Sequence, residues 1–247
     1  MYKIDDISIS IVSHGHGKFI KKFLSDFKKN PSFKKIKIIL TLNNRNEDFE
    51  IDSDLNLVII RNHNNKGFGE NHNNAFKQMN TKLFFVINPD IRIKENFFQS
   101  IIDELNQLNS FGVASPRIIS SSGNYTDHVR ENLSIYSLIK RHFLKDFSVK
   151  IKDNQFFWLS GCFHIFRQET FKKLHGYEEK YFMYCEDYDI CARLHLENLE
   201  ISVLEKIIAE HDAQRSSRRS LYMLLLHIKS LIQLWSSALF WKISFKK

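Results

Sequence analysis

Residues 7–15 read ISISIVSHG, a β-branched run that stops at a Ser-His-Gly turn. The run over 7–12 predicts a buried strand, and the apolar residues of the next segment recur at helical spacing over 19–27. The start of the chain therefore predicts a strand, a turn and a helix. Similar patterns predict further strands at 36–42, 57–60 and 83–87, and further helices at 69–79 and 97–108.

The alternation of strands and helices predicts an α/β fold with a mostly parallel central sheet. In such sheets the ligand crevice lies at the carboxyl ends of the strands. Four polar residues closely follow predicted strands, so we expect them near this crevice. They are Ser13, Asn43, Asn65 and Asn88.

The second half of the chain is less regular. Residues 118–154 are polar and weakly periodic, and we interpret them as an excursion that carries specificity rather than as a separate domain. Regular structure is expected again over 155–166, with a helix over 187–196 and a final helix over about 217–242. The sequence therefore predicts one main domain over 1–212 and a helical tail over 213–247.

Composition excludes several classes of protein. The 247 residues are 43% hydrophobic and 26% charged, which is typical of globular chains and excludes disordered and collagen-like ones. The three cysteines form no CxxC pair, so a reducing compartment is expected. The N-terminal residues lack a basic segment followed by a sustained apolar run, so no secretory signal is predicted. We therefore expect a cytoplasmic protein.

The formal net charge of +8 is concentrated at the C-terminus, where residues 211–247 contain seven basic residues and one acidic residue. Apolar residues recur through this tail, but His227, Lys229 and Gln233 make it too polar for a membrane span. Two interpretations stay open: an amphipathic helix on the inner face of the plasma membrane, or a helix packed on the main domain or in a homodimer interface. The apolar residues are Leu221, Tyr222, Leu224, Leu225, Ile228, Leu231, Ile232, Leu234 and Trp235, and the basic residues suited to lipid are Arg218, Arg219, Lys242, Lys246 and Lys247.

Three common ligand motifs are incomplete in this sequence. Gly15-His16-Gly17 follows the first strand, but Ile20 stands where a dinucleotide-binding loop needs its third glycine, and no acidic residue ends the second strand. A Walker lysine loop is absent. The spacing of the histidines and cysteines matches no compact zinc module. We therefore expect no NAD, P-loop or structural zinc site.

Residues 65–74 read NKGFGENHNN, a segment rich in glycine and asparagine. Glycines let the backbone approach a ligand closely, and asparagine amides offer a donor and an acceptor to a base or a ribose. The segment is therefore a candidate ligand-binding loop. The alternative is a plain Asn-rich turn before a helix.

Carboxylates occur at two places suited to chemistry. Asn88-Pro89-Asp90 ends the strand at 83–87, and a carboxylate there can hold a divalent cation that bridges two phosphates. Glu186, Asp187 and Asp189 open a predicted helix between aromatic residues, where one carboxylate can take a proton from an acceptor hydroxyl. The alternatives are a proline turn closed by Asp90 and helix caps stabilised by the helix dipole.

Taken in order, these motifs resemble those of the family 2 inverting glycosyltransferases, in particular the bacterial rhamnosyltransferase-like branch that builds cell-surface polysaccharide. The resemblance covers nearly the whole chain, is weakest over 118–154 and is most characteristic over 158–194. A set of motifs that occur in the family's order identifies the family far more specifically than any single motif. The motifs are ISIVSHGHG, IILTLNN, NNKGFGENHNNAF, FFVINPDI, WLSGCFHIFRQETFKKLHGYEEKYFMYCEDYDICARL and HDAQRSSRRS.

This resemblance implies a GT-A fold. We expect that fold to have a mostly parallel Rossmann-like sheet flanked by helices, and the residues of the tail themselves predict an amphipathic C-terminal helix. It also implies a nucleotide-diphosphate sugar donor and Mg²⁺ or Mn²⁺. Asp90 matches the last carboxylate of the family's D-x-D metal motif, whose first position is here Asn88, and His211 resembles the histidine that these enzymes bring to the metal or diphosphate. Asp187 matches the expected catalytic base, and Glu186 is expected to orient it or to bind the acceptor.

The same resemblance implies contacts to donor and acceptor. Many relatives carry Asp-Asn-x-Ser after the second strand, whereas this chain reads Leu42-Asn43-Asn44-Arg45, and the amide oxygen of Asn43 can accept the base hydrogen bond instead. The donor is expected to be linked to dTDP or UDP, and the acceptor to be a glycan or a polyprenyl-diphosphate-linked glycan. Trp158 and Tyr184 are either sugar-stacking walls or ordinary core aromatics. The expected nucleotide-sugar contacts are Ser13, His14, Asn43, Asn65, Gly67, Phe68, Asn73 and Asn88, and the expected acceptor contacts are Trp158, Gly161 and Tyr184.

Three other functions fit parts of the sequence. A nucleic-acid-binding protein fits the basic composition, but the positive charge lies at one end and the central motifs are acidic or amide-rich. A non-catalytic sugar-nucleotide-binding partner fits the fold, but the chain keeps Asp90, Asp187 and His211. Nucleotidyl transfer to a sugar phosphate needs a Gly-rich basic loop near the N-terminus, which SHGHGK supplies only in small part. The sequence thus predicts an inverting, metal-dependent glycosyltransferase with no nucleic-acid partner.

Overall fold

The computed structural model describes residues 1–45, 47, 53–124, 128–134, 155–211 and 220–245. Ten strands and seven α-helices lie in these residues. The strands are β1 Ile7–Ser13, β2 Lys37–Leu42, β3 Leu57–Arg61, β4 Leu83–Ile87, β5 Ile91–Arg92, β6 Val113–Ile119, β7 Val129–Glu131, β8 Phe157–Leu159, β9 Phe163–Arg167 and β10 Ile201–His211. The helices are α1 Gly17–Phe27, α2 Phe68–Phe76, α3 Phe97–Leu105, α4 Gln168–Lys173, α5 Glu186–Leu196, α6 Leu221–Trp235 and α7 Ala238–Phe245.

Eight strands form one mixed central sheet in the order β3-β2-β1-β4-β9-β6-β10-β5. The first four of these pair in parallel, and so do β6 and β10. Strand β9 runs antiparallel between β4 and β6, and β5 runs antiparallel beside β10. Six of the eight strands thus share one direction, which confirms the predicted sheet and brings the carboxyl ends of β1, β2 and β4 to the same edge.

Helices cover both faces of the sheet. On one face, Ile7, Ile9 and Ile11 of β1 join a core with α1 and α3. On the other face, Phe84 of β4 packs against Phe171 of α4, with ring centroids 5.0 Å apart, in a core that also includes residues of α2 and α5. Because strands buried on both faces read as continuous apolar runs, β4 is recognisable in the sequence, whereas β1 is recognisable by its β-branched residues.

The C-terminal helix expected over 217–242 is in fact two helices, α6 and α7, bent by 67°. Ser236 and Ser237 stand at the break. The Ser237 hydroxyl donates to the Leu234 carbonyl at 2.6 Å and accepts a bond from the amide of Phe240 at 3.3 Å. Serine side chains that bond nearby backbone groups compete with the helical ladder, which accounts for the break.

Other element boundaries differ slightly from those expected. Helices α2 and α3 end at Phe76 and Leu105, three residues earlier than predicted. The short strand β7, within the predicted specificity excursion, pairs antiparallel with β8. Residues 125–127 and 135–154 of that excursion lie outside the described residues, as do 212–219 at the predicted domain boundary.

Candidate active site

Asp187 lies half-buried in the first turn of α5. Tyr184 and Cys185 precede the helix in the left-handed backbone region, with φ of 71° and 70°, and turn the chain into it. The carboxylate accepts two backbone hydrogen bonds, at Oδ2 from the amide of Gly161 at 3.0 Å and at Oδ1 from the amide of Tyr188 at 2.9 Å. Its orientation is thus fixed from two separate parts of the chain, as a positioned general base requires.

The two acidic neighbours of Asp187 on α5 are more deeply buried. Glu186 is 5% exposed, and its Oε2 has no hydrogen-bond partner among the described residues. Burial, then the charges of Asp187 and Asp189, raise the pKa of Glu186 well above its ordinary value. Asp189 pairs with Arg193, whose Nε lies 2.6 Å from Oδ1. Asp187 is therefore the most accessible of the three carboxylates, and Asp189 serves the packing of the helix.

Asp90 and His211 meet because β5 pairs with β10. The antiparallel register sets Ile91 opposite His211, so the residue before β5 lies beside the last residue of β10. Oδ1 of Asp90 is 3.2 Å from Nε2 of His211, and both side chains are 16% exposed. The amide of Asn88 donates to the carbonyl of Cys162 at 2.9 Å, which holds the turn of Asp90 against the β8–β9 connection.

These two side chains fit a hard divalent cation as a partial ligand set. A carboxylate oxygen and an imidazole nitrogen suit Mn²⁺, and Mg²⁺ takes one or two carboxylates together with substrate phosphates and water. Oδ1 of Asp90 is buried, and its polar contact within the described residues is Nε2 of His211. A cation held here would take the place of the proton between these two atoms. In the part of the chain that the structure describes, no group of three or more His, Cys, Asp or Glu converges on a metal position. A cation here would complete its coordination with oxygens of a bound ligand.

Cys162 and His128 lie beside the Asp90–His211 pair. Burial disfavours charge on His211, but the Cys162 sulfur and the Asp90 carboxylate raise its pKa to about 10. Burial likewise disfavours a charged Cys162, but His211 and His128 lower its pKa to about 5. Nδ1 of His128 lies 3.8 Å from the Cys162 sulfur. Cys162 and His128 were not predicted as neighbours of the site, because residues so far apart in the chain meet only in the folded protein.

The glycine-rich segment places the start of α2 against the loop that precedes α5. The amide of Phe68 donates to the carbonyl of Phe182 at 2.8 Å, and a Cβ on Gly67 would lie 2.7 Å from the same oxygen. Only glycine permits this approach. The ring of Phe68 reaches Gly161, where an added Cβ would lie 3.3 Å from it. Three of the predicted contact residues, Gly67, Phe68 and Gly161, are therefore brought to the neighbourhood of Asp187.

Glu47 closes the turn after β1 and was not expected from the sequence. Its carboxylate accepts hydrogen bonds from the hydroxyl of Ser13 and, at 3.0 Å, from the amide of Gly15. Ser13 is fully buried and also accepts a bond from the amide of His16 at 3.0 Å. The sequence offered one hint of this role. Glu47 is an acidic residue four positions after Asn43, just past the place where relatives carry the aspartate of their Asp-Asn-x-Ser segment.

Asn43 is fully buried, and its amide is used within the protein. Oδ1 accepts bonds from the amide of Lys66 at 2.9 Å and from the side chain of Asn62 at 2.7 Å. Nδ2 donates to the Lys66 carbonyl at 2.8 Å and lies 2.8 Å from Nε2 of His14. An oxygen that already holds two donors is a poor acceptor for a base. The structure therefore favours a positioning role for Asn43 over the base contact suggested by the sequence.

Asn65 and Asn73, the other predicted amide contacts near α2, differ in their surroundings. Asn65 is exposed beside the buried Gly67. The Asn73 amide instead bonds both backbone groups of Tyr177, donating to the carbonyl and accepting from the amide nitrogen, each at 2.9 Å. Asn73 therefore joins α2 to the segment after α4 and has its polar groups occupied.

The two aromatic residues predicted to stack on a sugar differ in their exposure. Trp158 is 2% exposed, and its Nε1 donates to the carbonyl of Glu131 at 2.8 Å, which favours the core-aromatic alternative. Tyr184 is half-buried beside His227 of α6, with ring centroids 4.7 Å apart. Tyr184 therefore keeps part of its surface open in front of α5, and Trp158 does not.

Comparison with protein families finds matches over most of this chain. Residues 8–175 match the model described as glycosyl transferase family 2, and residues 141–215 match one described as the N-terminal domain of galactosyltransferase. The rhamnosyltransferase WbbL of Escherichia coli K12 is 28% identical over 242 residues, which cover 86% of this chain and 85% of the relative. The low-salt glycan biosynthesis hexosyltransferase Agl10 of Haloferax volcanii is 22% identical, over 85% of this chain and 68% of its own.

Solved structures of GT-A glycosyltransferases share the fold. The mannosyltransferase PcManGT from Pyrobaculum calidifontis, in complex with GDP-Man and Mn²⁺, matches with a TM-score of 0.62 at 10% identity, over 92% of this chain and 64% of its own. Residues 1–349 of S. aureus TarS, in complex with UDP-GlcNAc, match with a TM-score of 0.60 at 15% identity, over 94% of this chain and 67% of that one. At these identities the likeness establishes the GT-A fold.

Proposed function

Because this chain belongs to glycosyl transferase family 2 and is therefore a glycosyltransferase, we propose that it transfers a sugar with inversion from a nucleotide-diphosphate donor to a hydroxyl of a glycan or lipid-linked glycan. The observation that carries this proposal is the fixed carboxylate of Asp187. Both of its oxygens are held by backbone amides, of Gly161 and Tyr188. The carboxylate remains half-exposed, so an acceptor hydroxyl can reach it.

In the proposed step, Asp187 takes the proton from the acceptor hydroxyl as the hydroxyl oxygen bonds to the anomeric carbon. The bond from that carbon to the diphosphate oxygen breaks on the opposite face, and the nucleoside diphosphate leaves with the electron pair. The sugar is thereby transferred with inversion. Positioned acid–base catalysis of this kind contributes about 10²- to 10⁴-fold to the rate.

We assign Asp90 and His211 to a bound Mg²⁺ or Mn²⁺. Their distance of 3.2 Å and the burial of the Asp90 oxygen support this assignment. Such an ion neutralises negative charge on a leaving diphosphate. The turn of Asn88 and Asp90 is held by Cys162, next to the Gly161 amide that orients Asp187. The same short segment thus positions both halves of the proposed site.

For the donor we propose a dTDP- or UDP-linked sugar, with rhamnose supported by the 28% identity to a rhamnosyltransferase. The nucleotide would lie against the turn of Ser13, His14 and Glu47, and against exposed Asn65 at the edge of the glycine-rich segment. Tyr184 and Gly161 would face a polyprenyl-diphosphate-linked acceptor. We propose that residues 1–212 form the catalytic domain, that 213–247 form its tail, and that the enzyme works in the cytoplasm in synthesis of surface polysaccharide.

The test is release of nucleoside diphosphate from a panel of nucleotide sugars in the presence of extracted lipid-linked glycan. Asp187→Asn should lower turnover by about 10²- to 10⁴-fold while donor binding, followed by thermal shift, is retained. Exposed Glu178 lies just upstream, and Glu178→Gln serves as the matched control with unchanged turnover. Wild-type turnover by Asp187→Asn would remove this residue from the role, and donor binding without turnover by the wild type would favour a non-catalytic partner.

A further inference from the structure

An apolar surface covers the outer side of α6. Within the described residues, ten large hydrophobic side chains are exposed, and eight of them lie on α6 and α7. On α6 the spacing of Leu221, Leu225, Ile228 and Ile232 places them in one stripe along the helix, with exposures of 80%, 64%, 44% and 56%. We call these four residues the outer stripe. A helix that faced water on this side would carry polar residues there, so the outer stripe is suited to a partner.

The inner side of the same helices is anchored to the catalytic domain. Ser230 and Leu234 of α6 and Phe240 and Ile243 of α7 are buried. The Ser230 hydroxyl donates to the carbonyl of Met183 at 2.8 Å. The outer stripe is therefore the surface left over after α6 has packed, not a core face that lost its partner.

Basic residues are exposed on the same two helices. Exposed Lys229 lies one helical turn from Leu225 on the same helix, and exposed Lys242 lies on α7. The sequence from 213 to 247 contains seven basic residues and no aspartate or glutamate. A partner of complementary character therefore combines an apolar interior with negative charge at its surface.

We propose that the outer stripe inserts into the surface of an anionic lipid bilayer, with Lys229 in contact with the headgroups. An amphipathic helix binds in this way through apolar insertion and attraction to anionic lipid. In a two-fold dimer across this face, two Lys229 side chains would approach each other with no acidic residue of the tail to compensate. The charge pattern thus favours lipid over a second copy.

The helices lie on the membrane and do not cross it. No single helix in the described residues is long and apolar enough to span a bilayer, although the bent pair α6–α7 meets the length and composition criteria together. Helix α6 has 15 residues, about 22 Å at 1.5 Å per residue, against a hydrocarbon core of about 30 Å. Its inner side is occupied by the domain, so lipid can reach it from the outer side only.

This orientation holds the loop before α5 near the lipid, on the inner side of α6 and about one helix diameter, about 10 Å, from the bilayer. Met183 contacts Ser230 of α6 and Tyr184 contacts His227 of α6, and both lie within three residues of the start of α5, the helix that carries Asp187. The glycan of a lipid-linked acceptor, extending from the bilayer surface, would therefore reach the site while its lipid stays in the membrane. This consequence rests on the proposed function, whereas lipid binding itself does not.

The test is co-sedimentation of the full chain with vesicles of phosphatidylglycerol and phosphatidylcholine, compared with phosphatidylcholine alone. We expect stronger partition into the anionic vesicles, a loss of at least about tenfold in Leu225→Glu/Ile228→Glu, and a loss of about fivefold in Lys229→Ala. Ile208 is an exposed aliphatic residue outside these helices, and Ile208→Glu is the control that should partition like the wild type.

Equal partition by the wild type and Leu225→Glu/Ile228→Glu would overturn the proposal. So would absence of vesicle binding together with a wild-type dimer, seen by analytical ultracentrifugation, that this double variant dissociates. Thermal shift with nucleotide diphosphates and Mn²⁺, measured in the same variants, keeps the two proposals apart. A variant that loses vesicle binding but keeps nucleotide binding has lost the membrane-binding surface and not the nucleotide site.

Discussion

The amide of Gly161 donates a hydrogen bond of 3.0 Å to Oδ2 of Asp187, and this bond joins the β8–β9 connection to the first turn of α5. The next residue, Cys162, accepts a bond from the amide of Asn88. A segment of two residues therefore couples the proposed base to the turn that presents Asp90. Catalysis by inversion needs both at fixed positions around one sugar, because a displacement of about 1 Å can cost about 10²-fold in rate.

Glu186→Gln should preserve turnover within a few-fold and raise stability above neutral pH. Burial, then the charges of Asp187 and Asp189, raise the pKa of Glu186, so the folded protein retains a proton that the unfolded chain releases. Such a group stabilises at low pH, and its contribution falls as the pH rises towards the folded pKa. Glutamine carries no titrating proton, so in the variant the contribution of residue 186 to stability no longer falls with pH. Urea unfolding at about pH 5 and about pH 8 should show a flatter profile for the variant, and a loss of turnover as large as in Asp187→Asn would show that Glu186 acts as the base.

Gly67→Ala should loosen the contact between α2 and the loop before α5. The φ of Gly67 is −66°, which alanine also adopts, so the variant isolates the contact of its Cβ with the Phe182 carbonyl at 2.7 Å. We expect a loss of about 1 to 3 kcal/mol of unfolding free energy, together with lower turnover. In Gly161→Ala the nearest atom lies at 3.3 Å on a side chain, so its loss of stability should be smaller. The reverse order in urea unfolding would contradict this account of the loop.

Arg193→Met should destabilise the protein by about 3 to 5 kcal/mol, because it leaves a buried carboxylate without its partner. Asp189 is 2% exposed, and Arg193 also donates to the carbonyls of Leu174 and Gly176 at 2.6 and 2.9 Å. Lys173→Met removes an exposed pair with Glu197 and is the control, with almost no change expected. Equal midpoints for the two variants in urea would show that the buried pair is not needed for folding.

Two buried histidines should make the protein sensitive to mild acid. Burial lowers the pKa of His72 and of His164 from 6.5 to about 3, so below pH 6.5 the unfolded chain gains protons that the folded chain excludes. Stability is therefore lost as the pH falls. Between about pH 7 and about pH 5.5, each should remove about 1.2 kcal/mol. His164→Gln should lose less unfolding free energy over this pH range. The control is exposed His63→Gln, which should keep the wild-type pH dependence. If His164→Gln kept that dependence as well, His164 would not contribute to the acid sensitivity.

The strands of the fold could be predicted because their apolar character is local. Strand β4 is buried on both faces and reads as an unbroken apolar run. Strand β1 is equally buried but contains three serines, and its β-branched residues identify it as a strand. The break between α6 and α7 was missed because it depends on how the Ser237 hydroxyl bonds nearby backbone groups rather than on periodicity. The residue types at the break do not distinguish a capped turn from a solvated helix.

The site residues were harder to predict wherever a polar group is used inside the protein. The amide groups of Asn43 and Asn73 look available in the sequence, but their bonds to Lys66 and Tyr177 appear only when distant segments meet. The proximity of Asp90 to His211 likewise depends on the register between β5 and β10. The family resemblance supplied that pair, since no spacing along the chain reveals it.

We propose that this chain binds a nucleotide sugar through a divalent cation at Asp90 and His211. The most direct test is thermal shift of the wild type and Asp90→Ala with UDP, dTDP, GDP and CDP, each with and without Mn²⁺. A ligand that binds only the folded state raises the melting temperature by mass action. We predict a rise with one nucleotide that requires Mn²⁺ and is absent in Asp90→Ala. No rise with any nucleotide, or an equal rise in Asp90→Ala, would show that Asp90 does not hold such a cation.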